Sequence, residues 1–271
     1  MPTPTSPTGS HPGDQAAGDP LARLVGDPDR FAREHWARAP LYRPGADPAG
    51  FGDLFSLGDV DHILSLTTPR FPAFRMVKDG RQLDPRSYTR PGRVGGQPVN
   101  DLADPGAVYE LFRGGATIVL QSLHRFWPPL VRLARDLELA MTHPVQVNAY
   151  ITPPASRGLG VHHDEHDVFV LQVHGRKQWD VHDPDGRPED RLIEAELGPG
   201  DCLYIPQRFP HAAWTARTAS VHLTVGVVPV TWADILRRAV ASAVEGALSG
   251  EPLPAGFAAD PAALAAGVAE Q

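Results

Sequence analysis

The chain has 271 residues, of which 42% are hydrophobic and 21% charged, which is typical of a soluble globular protein. No apolar run is long enough to span a membrane, so we expect no membrane association. The formal net charge is −7 and Lys and Arg are not clustered, which argues against direct nucleic-acid binding. Cys202 is the single cysteine, which excludes an intrachain disulfide and favours a cytoplasmic location.

Three segments are predicted along the chain. Residues 1–20 are rich in Pro, Gly, Ser and Thr and are expected to form a disordered leader. Residues 21–230 form the main domain, and residues 231–271 form a helical C-terminal segment. Asp27 and Asp104 each precede a proline, the arrangement of a helix cap before the first helical residue, so two helices are predicted to begin there.

Further helices and turns are predicted in the first half of the main domain. A helix is expected around Asp59–Ser65, and Lys78–Gly80 has the composition of a hairpin tip. Ala116–Gln121 is a short apolar strand. Arg125–Ala140 has leucines at helical spacing and is predicted to be a longer helix.

From Val145 the pattern changes to short apolar segments separated by Pro-, Gly- and Asp-rich turns, which is typical of an antiparallel barrel or jelly roll. These predicted strands are Val145–Ile151, Val168–Val173, Gln178–Val181, Asp201–Ile205 and Val221–Val228. Trp232–Leu248 then carries an apolar stripe at helical spacing, and Asp260-Pro261 begins a last short helix. The predicted fold is mainly β, with an N-terminal region of mixed, partly helical structure and C-terminal helices.

Seven of the twelve histidines lie between His143 and His211, and three side chains stand out as metal ligands. In an extended strand His162 and Asp164 project to one face, whereas His163 points away. A turn, a short apolar strand and a proline-bounded loop then lead to His211. Two histidines and one carboxylate on one face are typical of non-haem iron(II) oxygenases, because three coordination positions remain for a chelating co-substrate and dioxygen. The other histidines are expected to be structural or solvent-facing.

These residues resemble the JmjC-type oxygenases of the cupin superfamily, in particular the ribosomal-oxygenase-like branch. The resemblance is carried by the segment Val147–Pro154, by His162–Trp179 and by Leu197–His211, in which Gly200, Pro206 and His211 have the spacing of the second cupin motif. Arg208 stands where that motif prefers glycine. In the first cupin motif, Val168 replaces a glutamate ligand, which favours a three-ligand site. The resemblance implies a double-stranded β-helix core.

The resemblance also implies Fe(II), dioxygen and the co-substrate 2-oxoglutarate. Lys177 stands where the family places a cation for the distal carboxylate of 2-oxoglutarate, and a buried carboxylate needs such a partner. By itself, Lys177 would be equally well interpreted as a solvated hairpin residue. The matching positions make Asn148 and Thr224 hydrogen-bond partners of the co-substrate.

Tyr150 shares the face of Asn148, and in the family this tyrosine borders the substrate pocket. The alternative interpretation is a core aromatic with a hydrogen-bonded hydroxyl. Relatives directed at histidine tend to carry serine where this chain has Gly226, and an arginine-directed type has glycine. The target therefore stays open between arginine and histidine side chains.

The predicted function is hydroxylation of a protein or peptide side chain, such as a ribosomal-protein residue, by a homodimer formed through the C-terminal helices. Family members commonly continue into a winged-helix domain, whereas this sequence stops at Gln271, so hydroxylation of a peptide natural product or a small metabolite is an alternative. A non-catalytic metal-binding cupin would need neither Lys177 nor Asn148. A metal-dependent isomerase or thiol dioxygenase normally needs the further ligand that Val168 does not provide.

Overall fold

The computed structural model describes residues 19–157, 160–187, 189–247 and Ala262. The described chain divides into two compact units, with the division between Pro229 and Val230. Most of the predicted leader and the helix predicted to begin at Asp260-Pro261 lie outside the described residues. Within the described part, no helix is both long enough and apolar enough to cross a membrane.

Four of the described helices begin after an aspartate or serine whose side chain accepts a hydrogen bond from the first turn. Asp27 and Asp104 accept hydrogen bonds from the backbone N–H of Arg30 and Ala107, as predicted. The helices are α1 (Pro20–Val25), α2 (Pro28–Glu34), α3 (Leu57–His62), α4 (Pro105–Arg113), α5 (Pro128–Met141) and α6 (Trp232–Ala247), with a π-helical turn at Ile63–Thr67 and 3₁₀ turns at Pro85–Ser87 and Leu123–Arg125.

The predicted start of α5 at Arg125 was wrong. Arg125 lies in a separate 3₁₀ turn, and the helix begins at Pro128. Trp127 has an extended backbone (φ −94°, ψ 107°), the conformation that a following proline imposes on its neighbour. The proline therefore sets the first helical residue.

Thirteen strands are found in the described residues. They are β1 (Leu41–Arg43), β2 (Phe74–Lys78), β3 (Arg81–Gln82), β4 (Thr89–Val94), β5 (Gln97–Ala103), β6 (Thr117–Leu120), β7 (Val145–Thr152), β8 (Asp167–His174), β9 (Lys177–His182), β10 (Arg191–Leu197), β11 (Cys202–Ile205), β12 (His211–Trp214) and β13 (Ser220–Val227). The five strands predicted after residue 144 are all confirmed to within one residue at each end. The predicted strand Ala116–Gln121 is confirmed as β6, and the predicted hairpin tip Lys78–Gly80 joins β2 and β3. The other strands, β1, β4, β5, β10 and β12, were not predicted.

The strands form a large antiparallel sheet and a small one. The large sheet has eight strands in the order β1-β11-β8-β13-β7-β6-β2-β3, and the small sheet has the order β10-β9-β12. Strands β4 and β5 make a separate pair. The fold is therefore mainly β with flanking helices, as predicted.

Successive side chains along the strands of the large sheet point to opposite faces, and the two faces pack into two different hydrophobic cores. One face of β7, β8 and β13 packs into the main hydrophobic core together with residues of the helices, including Leu24, Phe31 and Leu130. The opposite face of the large sheet contributes Val168 and Val170 to a smaller core shared with Trp179 of the small sheet. The inner face of this sandwich is where the candidate site lies.

Candidate metal centre

The three predicted metal ligands lie together at one side of the sandwich. Each of His162, Asp164 and His211 offers one ligand atom, and these atoms all lie within 4.8 Å of one another. Nε2 of His211 is 3.7 Å from Oδ2 of Asp164, and the two imidazole rings have centroids 4.4 Å apart. The side chains can therefore face a single ion.

Backbone hydrogen bonds fix the two histidines relative to each other. The N–H of His162 donates to the carbonyl of His211 (3.1 Å), and the N–H of His211 donates to the carbonyl of His162 (2.8 Å). His211 opens β12, whereas His162 and Asp164 precede β8. His162 pairs with His211 in an isolated β-bridge, and Asp164 lies outside that bridge. The predicted strand for His162 and Asp164 was wrong, because regular pairing of β8 begins only at Asp167.

Hydrogen bonds to the backbone also select the imidazole nitrogen that faces the cluster. Nδ1 of His162 lies 2.9 Å from the carbonyl of Gly160, and Nδ1 of His211 lies 3.0 Å from the carbonyl of Phe209. A carbonyl can only accept, so both rings are assigned a proton at Nδ1 and a free lone pair at Nε2. This is the tautomer in which Nε2 can bind a metal.

His211 is neutral near pH 7. Burial, and then the neighbouring His162, lower the pKa of His211 to about 4. A neutral imidazole is the form that coordinates a metal ion, so no proton has to leave His211 on binding.

The loop before His211 adopts a conformation that explains a preference in the cupin motif. Arg208 has φ 66°, in the left-handed region where glycine is favoured. The N–H of Arg208 donates to the carbonyl of Asp164 at 2.8 Å. The strained residue therefore holds the loop against the metal ligands even though it is not glycine.

A cavity extends from the three ligands between the two sheets. Its wall is largely apolar, with a few polar groups in its interior. The lining residues are Val77, Thr117, Val119, Tyr150, His162, Asp164, Val168, Val170, Lys177, Trp179, His211, Ala213, His222 and Thr224. Such a cavity next to a metal cluster can exclude water from a bound co-substrate.

Lys177 is the cationic group of this cavity. The residue is only 5% exposed, and its Nζ donates to Oγ1 of Thr152 at 3.0 Å. Among the described residues, no carboxylate is recorded as an ion-pair partner of Lys177. Burial lowers the pKa of Lys177 to about 7. The alternative of a solvated hairpin residue does not agree with this position.

Two of the other three predicted site residues line the cavity. Thr224 and Tyr150 face it from β13 and β7. Asn148 is not among the lining residues, and its Oδ1 accepts a hydrogen bond from the N–H of Ser122 at 2.9 Å. Thr224 and Asn148 are nevertheless directly opposite each other in the β13–β7 pair.

The sequence reasoning did not assign Thr152, Trp179 or His222 to the site. Thr152 and His222 follow from alternation, since Thr152 is two residues after Tyr150 and His222 is two residues before Thr224. Trp179 is likewise two residues after Lys177. The inward direction of these three side chains could therefore be predicted from alternation once one inward-facing residue of each strand was known.

The donor set fits a metal with an open coordination sphere. Val168, at the position of the glutamate ligand in many cupins, is 2% exposed and packs in the smaller core. Among the described residues, no fourth His, Cys, Asp or Glu belongs to the cluster. Two imidazoles and one carboxylate match the ligands of non-haem iron(II) sites.

Comparison with known proteins agrees with this geometry. Residues 122–235 match the family model described as JmjC domain. This part of the chain forms a JmjC domain. The chain is 33% identical over 239 residues to ribosomal oxygenase 1 of Gallus gallus, covering 82% of this chain and 38% of that protein. The predicted resemblance to the ribosomal-oxygenase-like branch is confirmed.

Other relatives are more distant. The bifunctional lysine-specific demethylase and histidyl-hydroxylase NO66 of Culex quinquefasciatus is 28% identical over 226 residues, covering 77% of this chain and 34% of that protein. The structure of YcfD, a ribosomal oxygenase from Escherichia coli, in complex with cobalt and 2-oxoglutarate has a TM-score of 0.59 at 20% identity, covering 86% of this chain and 60% of that one. This likeness confirms the jelly-roll fold of the JmjC domain. The chain spans less than half the length of these curated relatives.

Proposed function

We propose that this protein is an Fe(II)- and 2-oxoglutarate-dependent oxygenase that hydroxylates a side chain of a protein or peptide. The observation that carries the proposal is the cluster of His162, Asp164 and His211 at the edge of a water-excluding cavity whose cation is Lys177. Relatives named ribosomal oxygenases, and the cobalt and 2-oxoglutarate complex of YcfD, support it.

Each residue of the site has a separate proposed role. His162, Asp164 and His211 hold Fe(II) on one face. Lys177 pairs with the distal carboxylate of 2-oxoglutarate, because an ammonium without an anionic partner at 5% exposure is otherwise uncompensated. When bound, the metal, 2-oxoglutarate and dioxygen supply oxidative decarboxylation to succinate and carbon dioxide, coupled to hydroxylation of a substrate C–H bond.

The remaining cavity residues orient the reactants. Thr224 provides a hydrogen bond to the co-substrate. Asn148 lies opposite it outside the cavity lining, and because its Oδ1 accepts from Ser122, only its amide N–H groups are left to donate. Tyr150 borders the substrate, and its ring is held by parallel stacking on His222 at 5.1 Å. Val168 and Val170 keep water from the cavity.

The proposed substrate is an arginine or histidine side chain of a ribosomal protein; the names of the relatives support a ribosomal protein and histidine, whereas arginine rests on the sequence resemblance alone. A side chain at Gly226 would place its Cβ 2.4 Å from the ring of His166. A serine, as in histidine-directed relatives, would fit here only if His166 moved, and the target stays open between arginine and histidine.

Succinate release tests this function. The protein would be incubated with Fe(II), 2-oxoglutarate and a panel of ribosomal-protein peptides, with arginine and histidine peptides compared in parallel. We expect succinate release coupled to a mass gain of one oxygen on one peptide, and neither with His162→Ala. Turnover only with a small metabolite or a peptide natural product would overturn the protein-substrate proposal. Failure to bind 2-oxoglutarate with anaerobic iron would instead favour the non-catalytic cupin.

We also propose that residues 21–230 are an oxygenase domain and that residues 231–271, which follow it in the sequence, are a dimerisation segment. The support is the surface of α6, whose apolar residues are exposed in the isolated chain. They are Trp232 (83% exposed), Ile235, Leu236, Val240 and Val244. The homodimer is proposed to be cytoplasmic and to make no direct contact with nucleic acid, and the net charge of −7 supports the second of these two points.

A further inference from the structure

His166 lies on the large sheet in a place that a side chain of β13 would otherwise fill. Gly226 has no side chain, and a Cβ built there would lie 2.4 Å from Cδ2 and 2.5 Å from Nε2 of His166. In the sheet, Gly226 is paired with Gln146 of β7 and with Val168 of β8. It comes two residues after Thr224, which lines the cavity, so both residues share one face of β13. The ring of His166 therefore covers the cavity face of β13 just beyond Thr224.

This position is at the end of the site away from Lys177. Lys177 donates to Thr152 at one end of β7, and Gln146 lies six residues earlier, about 20 Å along the strand. His166 follows the candidate metal ligand Asp164 by two residues. Gln146 and His166 are both half-buried, whereas Lys177 is only 5% exposed. A substrate that reaches the metal cluster from the more open end therefore meets His166.

One hydrogen bond fixes the direction and the tautomer of the His166 ring. Its Nε2 lies 3.1 Å from the amide nitrogen of Gln146. An amide nitrogen can only donate, so Nε2 of His166 accepts and the ring proton is assigned to Nδ1. Cδ2 and Nε2 form the edge of the ring nearest to Gly226, and Nδ1 is the ring atom opposite that edge. The Nδ1–H therefore points away from the sheet, and it has no hydrogen bond within the described residues.

We propose that His166 is a specificity-determining residue that donates a hydrogen bond from Nδ1–H to an acceptor atom of the target side chain. This inference rests on the proposed function. A neutral imidazole carries an acceptor nitrogen, whereas a guanidinium carries only N–H donors. A site with a fixed donor rejects a side chain that cannot accept, because the donor loses its contact with water and gains no partner. His166 thereby selects a histidine target over an arginine target.

The tautomer of His166 tests the donor without any substrate. Long-range ¹H–¹⁵N correlation spectra of the zinc-loaded protein would report it, and the signals that are missing from the spectrum of His166→Asn would assign it. We expect the Nδ1–H tautomer in the unaltered protein. Gln146→Leu removes the donor to Nε2 and is expected to lose this preference. The Nε2–H tautomer in the unaltered protein would overturn the inference.

Peptide selectivity tests what the donor does. Each ribosomal-protein peptide that supports succinate release would be made with histidine and with arginine at the hydroxylated position, and kcat/KM would be measured for both. The unaltered protein is expected to prefer the histidine form. His166→Phe keeps an aromatic ring but removes the donor. We expect it to lower kcat/KM for the histidine peptide about tenfold and not to lower it for the arginine peptide.

Two further variants separate a lost hydrogen bond from a damaged fold. His166→Asn keeps an amide N–H near the position of Nδ1 and is expected to restore most of the rate with the histidine peptide. Gly226→Ser combined with His166→Ala supplies a hydroxyl donor from β13 once the ring that blocks it is removed, and it should also favour the histidine peptide. His174→Phe, at the exposed end of β8, is the matched control and should behave as the unaltered protein does.

The outcomes separate this inference from the function on which it rests. A preference of the unaltered protein for the arginine peptide, or an equal effect of His166→Phe on both peptides, would overturn the role of His166 and leave the oxygenase proposal intact. Failure to bind 2-oxoglutarate, together with no succinate release with any peptide, would overturn the proposed function itself, and this inference with it.

Discussion

Lys177 is a buried amine whose ionisation the fold has changed. With its pKa lowered to about 7, the amine is charged below pH 7 and increasingly neutral above it. Pairing with a carboxylate requires the charged form, so binding above pH 7 must be accompanied by proton uptake. We therefore expect the affinity for 2-oxoglutarate to fall as the pH rises from 7 to 9, by up to about tenfold per unit.

Calorimetric titration of the cobalt-loaded protein across this range would measure the effect. Lys177→Met, which keeps the length of the side chain without the charge, should bind weakly at every pH and show a flat profile. Equal affinity at pH 7 and pH 9 in the unaltered protein would contradict the assignment of Lys177 as the carboxylate partner.

At the residue scale, the sequence predicted the cluster of His162, Asp164 and His211 better than it predicted the residues of the cavity. The cluster was identifiable because side chains that can bind a metal must have particular chemical types and spacing. The side chain of Asn148 is instead engaged by the backbone of Ser122, a contact made between residues distant in sequence. The burial of Lys177 likewise depends on two sheets meeting, which no local pattern contains.

The turn between β8 and β9 is the element that carries the chain from the large sheet to the small one. Gly175 has φ +65°, and a Cβ there would lie 1.9 Å from the carbonyl oxygen of Ala219. Because the obstacle is backbone, a side-chain rotation cannot relieve it. The turn sits two residues before Lys177, so a displaced turn would also move the cation.

Gly175→Ala is therefore expected to lower the free energy of unfolding by about 3 kcal/mol or more. Gly45→Ala is the matched control, since Gly45 has φ +60° but nothing within 4 Å of its Cβ position. It should cost only the backbone strain, about 1–2 kcal/mol. Chemical denaturation would measure both variants, and equal losses would show that the contact with Ala219 is unimportant.

At the element scale, the strands with continuous or nearly continuous apolar runs were predicted. The strand β10 (Arg191–Leu197) has Ile193, Ala195 and Leu197 in alternation with two glutamates, a weaker apolar pattern at the edge of the small sheet, and it was missed. The strand β12 follows a proline-rich loop and contains two alanines. Its pairing with β9 comes from the tertiary fold rather than from local propensity.

At the scale of the whole molecule, the helix α6 predicts the oligomeric state. Its stripe of exposed apolar side chains could be covered by a second copy of the chain. Leu236→Glu would place a charge in that stripe. We expect the homodimer to dissociate to monomers, as measured by light scattering at micromolar concentration.

Arg238→Glu, an exposed residue of the same helix, is the control for charge and should leave the dimer intact. An unaltered protein that is monomeric at micromolar concentration would contradict the dimer directly.

The fold class of the whole molecule was predictable from the sequence because the spacing of the apolar segments and the composition of the turns determine it. The order of strands in the sheets was not, since it depends on long-range pairing.

The central claim is that His162, Asp164 and His211 bind one metal ion together, and anaerobic equilibrium dialysis against Fe(II) tests it most directly. We predict one ion per chain for the unaltered protein and for His174→Ala, and at least about tenfold weaker binding when either His162 or His211 is replaced by alanine. Unchanged iron binding in both ligand variants would contradict the claim.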